Sequence, residues 1–152
     1  MHNTIPTYSL KSFILGFLFL GFSQTAFGQK PLLWFTLQQT TYEVTESGGA
    51  LGNYRPRFPE SVTAYDGQEV VIQGFIIPMD VGENAYVLSM NPFSSCFFCG
   101  NAGPETVMEL KFKDPQSKFL TDQFIRVKGV LRLNRYNSNG FFYTLENAES
   151  NG

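Results

Sequence analysis

Histidine is all but missing from this chain. The single one is His2, ahead of an apolar run that reads as a leader. Once that leader is cut, no imidazole remains. That excludes Ser-His-Asp and Cys-His catalysis and any histidine metal ligand. Cysteine is nearly as scarce, since Cys96 and Cys99 are the only two. No cysteine closely follows the N-terminal apolar run, so a bacterial lipid anchor is excluded and the protein is not a lipoprotein.

A membrane-spanning run is missing as well. The N-terminal apolar stretch, Phe13 to Phe22, is about ten residues long, against the roughly twenty that a bilayer core needs. It is preceded by Lys11 and followed by Ala26-Phe27-Gly28. A basic start, a short apolar core and small residues at the end mark a cleaved signal peptide. An uncleaved anchor is the alternative, and the short core speaks against it. The expectation is a signal peptide over 1–28, cleavage near Gly28 and a mature chain of residues 29–152, periplasmic or secreted.

Positive charge is in short supply too. Residues 1–28 carry Lys11 and no acid, so the mature chain keeps ten basic and thirteen acidic side chains, a formal charge of −3. With no basic excess, a nucleic acid is not an expected partner. The mature length fits one domain with a real core.

What is present is strand-forming sequence. Residues 29–66 read as an N-terminal extended arm and linker, with 29–46 either an arm or a first strand packing onto the core. Trp34, Phe35, Leu37, Tyr42 and Val44 stand ahead of a Gly-rich break at 47–52, and Pro56 and Pro59 hold the chain extended after it. The main domain covers 67–149. Strands are predicted over 69–78, 85–90, 106–113, 124–133 and 141–145, from β-branched content or alternation. Gly74 predicts a bulge or bend in the first, and Gly129 a slip of phase in the fourth. Gly82-Glu83-Asn84 is a turn. Residues 114–120 form a turn or one short helix, with Pro115 suited to its first position. Asn137-Ser138-Asn139-Gly140 is a hairpin turn. Five glycine-bent strands with at most one short helix predict an all-β, five-stranded OB-fold-like barrel. A sandwich is the alternative.

Chemistry concentrates in the loop between the second and third strands, which holds Cys96-Phe97-Phe98-Cys99. Three readings stand there. In an oxidising compartment the pair forms a disulfide that pins the loop. Alternatively Cys-x-x-Cys is half of a thiolate zinc site. The other ligands then come from acids, nearest in sequence Asp80, Glu83 and Glu105, or from water, or from a second copy of the chain in a homodimer. The third reading is thiol–disulfide exchange with Cys96 as the more exposed thiol. The all-β flanks and Pro104 speak against it, because thioredoxin-like motifs open a helix. No other residue set suggests catalysis.

Phe97 and Phe98 are candidate recognition residues or local core. Tyr136, Phe141 and Tyr143 are candidates for stacking ligands, as OB-fold aromatics do. Phe97, Phe98, Glu105, Tyr136 and Tyr143 make up the candidate binding surface. Arg126, Lys128, Arg132 and Arg135 form either a basic ridge or the solvated face of a strand.

The segment Gly67-Gln68-Glu69-Val70-Val71-Ile72-Gln73-Gly74-Phe75-Ile76-Ile77-Pro78-Met79-Asp80 resembles the opening of the exported bacterial proteins grouped as domain of unknown function 3299. Trp34-Phe35-Thr36-Leu37, Arg57-Phe58-Pro59 and Val127-Lys128-Gly129-Val130-Leu131 match further segments in order, so the resemblance spans most of 34–147. Relatives there pair a Cys with a His, where this chain has Cys96 and Cys99, and that favours two soft metal ligands. The resemblance implies an OB-like fold and an accessory role, with an envelope protein or zinc-linked permease as partner. It implies no activity for any residue. The expectation is a non-enzymatic, exported binding module whose Cys loop takes zinc or a disulfide. A thiol oxidoreductase and a structural envelope subunit are the alternatives.

Overall fold

A strand with apolar side chains at every second position buries one face and leaves the other outside. The computed structural model describes residues 30–45, 53–80, 85–114, 119–135 and 140–151. In chain order the strands are β1 (Lys30–Pro31), β2 (Thr41–Thr45), β3 (Asn53–Arg57), β4 (Glu69–Asp80), β5 (Ala85–Ser89), β6 (Val107–Phe112), β7 (Gln123–Leu133) and β8 (Tyr143–Asn151). Two short helices, α1 (Trp34–Leu37) and α2 (Glu60–Thr63), lie ahead of the long strands.

Strands β4, β5, β6, β8 and β7 pair in that order, and β7 pairs back to β4. The ring is antiparallel except between β6 and β8. This is the closed five-stranded, OB-fold-like all-β barrel that the sequence predicts. Val70, Ile72 and Ile76 of β4, Tyr86 and Leu88 of β5, Met108 and Leu110 of β6, and Val127 and Leu131 of β7 fill its inside.

The segment 29–66 is extended only in part. It carries the two helices and an antiparallel β2–β3 hairpin. It also packs tightly: Leu32, Leu37 and Val62 are buried in the same core as the barrel strands. Each such side chain contributes about 1.5–3 kcal/mol by leaving water. The arm is therefore part of the domain's core.

Two glycines shape the ring. At Gly74, β4 is paired on one side with β7, at Ile125, and just beyond it pairing with β5 begins, at Phe75 with Ser89. A Cβ on Gly74 would lie 2.6 Å from the Ser89 carbonyl oxygen, so the predicted bend is a close approach of two backbones. Gly129 differs from expectation. Burial alternates through it without a break, and the irregularity lies across from it. The β7–β8 register jumps from Lys128–Glu149 to Val130–Glu146, with Asn147 at φ 51°. Gly129 leaves room for that irregularity: a Cβ there would sit 2.8 Å from the Glu146 carbonyl oxygen.

The fifth strand runs past its predicted end at 145 to Asn151. Its polar half is held to β7 by ion pairs, Lys128–Glu149 at 2.8 Å and Arg132–Glu146 at 2.9 Å. The hydrogen bond and charge of Lys128 hold the Glu149 carboxyl below its ordinary value, with Lys113 assisting. A depressed folded-state value means the pair stabilises above the unfolded carboxylate range and loses that effect as pH falls through the folded value. Glu149→Gln is therefore expected to lower the melting temperature slightly at neutral pH, and the gap should close in acid and in high salt. A gap that ignores both would show that the pair contributes nothing.

The predicted signal peptide and the turns at 82–84 and 137–139 lie outside the described residues, as do Pro115 and the Gly-rich break. Among the described residues no helix is long and apolar enough to cross a membrane.

Candidate functional site

The site begins with three outward-facing side chains. Ile77, Val87 and Val107 occupy the alternate positions of β4, β5 and β6, so they point away from the barrel interior. Left bare, they would be an apolar patch on the outside of the ring. Instead they form a second buried cluster with Cys96, and Phe97, Phe98 and Phe141 pack against it. The cover is the segment between β5 and β6, a chain of 3-10 turns at Phe93–Ser95, Phe97–Cys99 and Pro104–Thr106. Its start is tied down by the Met90 amide, which donates to the Thr106 carbonyl at 2.9 Å. The Phe93 amide donates to Asp122 Oδ1 at 2.7 Å.

The two cysteines bracket one turn. The Cys99 amide donates to the Cys96 carbonyl at 3.2 Å, which brings the two residues to the separation of a β-turn's ends, under about 7 Å between Cα atoms. Disulfides are found over that range. Both thiols are free, Cys96 buried and Cys99 exposed. Cys96 is 0% exposed, which corrects the expectation that it would be the more exposed thiol. Its side chain anchors the loop on the apolar patch, so it points inward. The Cys99 thiol donates to the Phe93 carbonyl at 3.0 Å. Its pKa is raised, first by desolvation against the loop even though the residue is exposed, then by the charge of Cys96 and a hydrogen bond with it.

Among the described residues no three His, Cys, Asp or Glu side chains gather into a metal-holding group. Cys96 and Cys99 amount to half of a tetrahedral zinc site, and one of that half is sealed under the loop. Asp80 is exposed at the end of β4, and Glu83 lies outside the described residues. Glu105 is folded back against its own turn: a Cβ on Gly103 would collide with its carboxylate. Its Oε2 is buried without a hydrogen-bond partner. Its charge helps to raise the pKa values of Tyr42 and Tyr143.

The aromatic candidates divide. Phe97 and Phe98 pack edge to face, 5.7 Å between ring centres, and Phe98 meets Phe141 at 6.2 Å. Phe97 also meets Tyr54 of the β2–β3 hairpin at 6.1 Å. They form the half-buried lid of the second cluster. Tyr143 does not join the binding surface proposed for it. It is fully buried, and its hydroxyl reaches the Leu37 carbonyl at 2.8 Å and the Thr40 hydroxyl at 2.7 Å. It faces inward because it fastens α1 to the barrel. Tyr136 lies outside the described residues.

The basic ridge is mostly neutralised. Lys128 pairs with Glu149, Arg132 with Glu146, and Arg135 with Asp66 at 3.9 Å. Arg126 has no ion pair among the described residues. It borders a cleft of about 450 Å³ between the arm and β4, lined also by Leu33, Trp34, Gln73, Met90 and Phe124. Sequence reasoning missed this cleft. The available signal was Phe124, an aromatic on the outward phase of β7 beside Arg126.

A scan against protein-family models, a search of curated proteins and a search of solved structures each return no match.

Proposed function

We propose that this chain is an exported, non-enzymatic OB-type binding module, and that Cys96 and Cys99 form a disulfide clasp fastening a loop over the module's own outer face. One observation carries this: both thiols flank a single closed turn whose buried member is seated on Ile77, Val87 and Val107. OB folds bind ligands on the face of their second and third strands. In this ring those strands are β5 and β6, and the Cys loop occupies part of that face. A partner therefore meets the loop's outer rim, around Phe98 and Cys99. Residues 67–80 and 127–131 resemble segments of domain of unknown function 3299, and that resemblance is the ground for naming an envelope partner of permease type.

Closing the clasp removes two protons and two electrons from the thiols. A disulfide-bearing oxidant of the exporting compartment takes them up as a dithiol. The raised Cys99 pKa favours a lasting bond. An exchange catalyst needs a stabilised thiolate in its reduced form, and a high-pKa thiol is a poor leaving group.

The test is Cys99→Ser in the exported protein. The closed ring is small, so the expected loss of stability is about 2 kcal/mol or less. Amide exchange from Phe93 to Thr106 should speed up clearly while the barrel strands stay protected. Unchanged exchange in the loop would contradict the clasp. For the oxidoreductase alternative the structure reverses the roles of the two thiols: Cys99 would attack, so Cys96→Ser is the trapping variant. Mixed disulfides captured by that variant would support exchange chemistry instead.

A further inference from the structure

The outward face of β4 and β7 carries a second feature, and it contains neither cysteine. Cross-strand pairing sets Gln73 opposite Arg126 and Phe75 opposite Phe124. The Phe75 and Phe124 rings meet at 5.1 Å. The cleft of about 450 Å³ lies beside them, within the 300–1,000 Å³ usual for small-molecule sites. Its opposite wall is the arm, held by the Trp34 indole N–H donating to the Gln73 carbonyl at 2.7 Å. The rim is apolar and uncovered: Leu33 is 65% exposed and Phe124 is 59% exposed.

The polar groups are few and of one character. Arg126 is the one cation of its ridge without an acid among the described residues, and the exposed Gln73 side chain is its cross-strand neighbour. A single guanidinium offers a fork of N–H donors that fits a carboxylate. One positive charge balances one negative charge, whereas a doubly charged phosphate calls for more donors than are present. The remaining lining is aliphatic and aromatic.

We propose that this cleft binds an apolar monocarboxylate, with the carboxylate on Arg126 and the hydrocarbon chain between Leu33, Trp34, Met90 and Phe124. A medium-chain fatty acid is the simplest member of that class. The site stands whether or not the clasp is correct.

Trp34 is the only tryptophan in the chain and lines the cleft, so its fluorescence reports occupancy directly. Decanoate, titrated into the exported protein below its micelle concentration, should change that emission saturably. Arg126→Gln should weaken binding at least about tenfold, the size of one charge-assisted contact, with the melting temperature unchanged because Arg126 is exposed. Decanol, with the same chain and no charge, should bind wild type about as weakly as decanoate binds the variant. Absence of a saturable change would overturn the proposal. So would equal affinity of wild type and Arg126→Gln for decanoate, or equal affinity of wild type for decanoate and decanol.

Discussion

Tyr143→Ala is expected to destabilise the domain by about 4 kcal/mol, as emptying a buried aromatic position does. That is a large share of the 5–15 kcal/mol by which small domains are stable. The ring is fully buried, with centres 6.0 Å from Phe58 and 6.2 Å from Phe142. Its hydroxyl is one polar tie between barrel and arm, beside the Trp34 indole N–H on the Gln73 carbonyl; it donates to the Leu37 carbonyl and bonds with the Thr40 hydroxyl. Tyr143→Phe keeps the ring and strands those two groups. It should cost about 1–3 kcal/mol, the penalty for unsatisfied buried partners. Urea unfolding of both variants separates the two shares. If Phe is tolerated without loss, the arm is not fastened through this hydroxyl.

The same residue predicts behaviour in alkali. Burial raises the Tyr143 pKa well above that of a free phenol; the Thr40 hydrogen bond pulls it down and the Glu105 charge pushes it up. The unfolded phenol ionises near pH 10, and the folded one does not follow until higher pH. Stability from keeping it neutral is therefore complete below about pH 10 and lost as pH rises from there toward the folded value. The expected slope is about 1.4 kcal/mol per pH unit. Tyr143→Phe should remove that slope.

Gly74→Ala is expected to cost about 2–3 kcal/mol by overpacking. The added methyl would meet the Ser89 carbonyl oxygen at 2.6 Å and Leu88 Cγ at 3.0 Å. Ser89 is fully buried, so its backbone cannot step aside without parting β4 from β5 where the barrel closes. Gly100→Ala is the contrast. There a Cβ meets nothing within 4 Å, and φ is +74°, so left-handed strain alone, about 1 kcal/mol, is expected. Equal losses at the two positions would mean that the close approach at Gly74 does not govern the ring.

The barrel was legible because its strands announce themselves locally. Val70, Ile72 and Ile76 are β-branched, and Ile125, Val127, Leu131 and Leu133 recur at every second position. The end of β8 was not legible, because Glu146, Glu149 and Ser150 carry no apolar alternation. That half of the strand is held by ion pairs to β7, a cross-strand property. The arm was legible in part. Trp34 and Leu37 mark a segment that packs onto the core, and Pro56 and Pro59 mark extended chain, but nothing local tells that Val62 is buried in the same core.

At the site, the Cys loop itself was plain from spacing. The orientation of its thiols was not, since it depends on Ile77, Val87 and Val107, which lie in three separate strands. The burial of Tyr143 likewise depends on Leu37 and Thr40, about a hundred residues away. The cleft escaped notice because its walls come from the arm, β4, β7 and the residue after β5.

The most direct test of the clasp is native mass spectrometry of the exported protein, purified without reductant or chelator. The clasp predicts a monomer whose mass is two hydrogens below that of the reduced chain, with no metal attached. The reduced mass carrying one zinc, or a dimer sharing one zinc between two Cys96/Cys99 pairs, would contradict it.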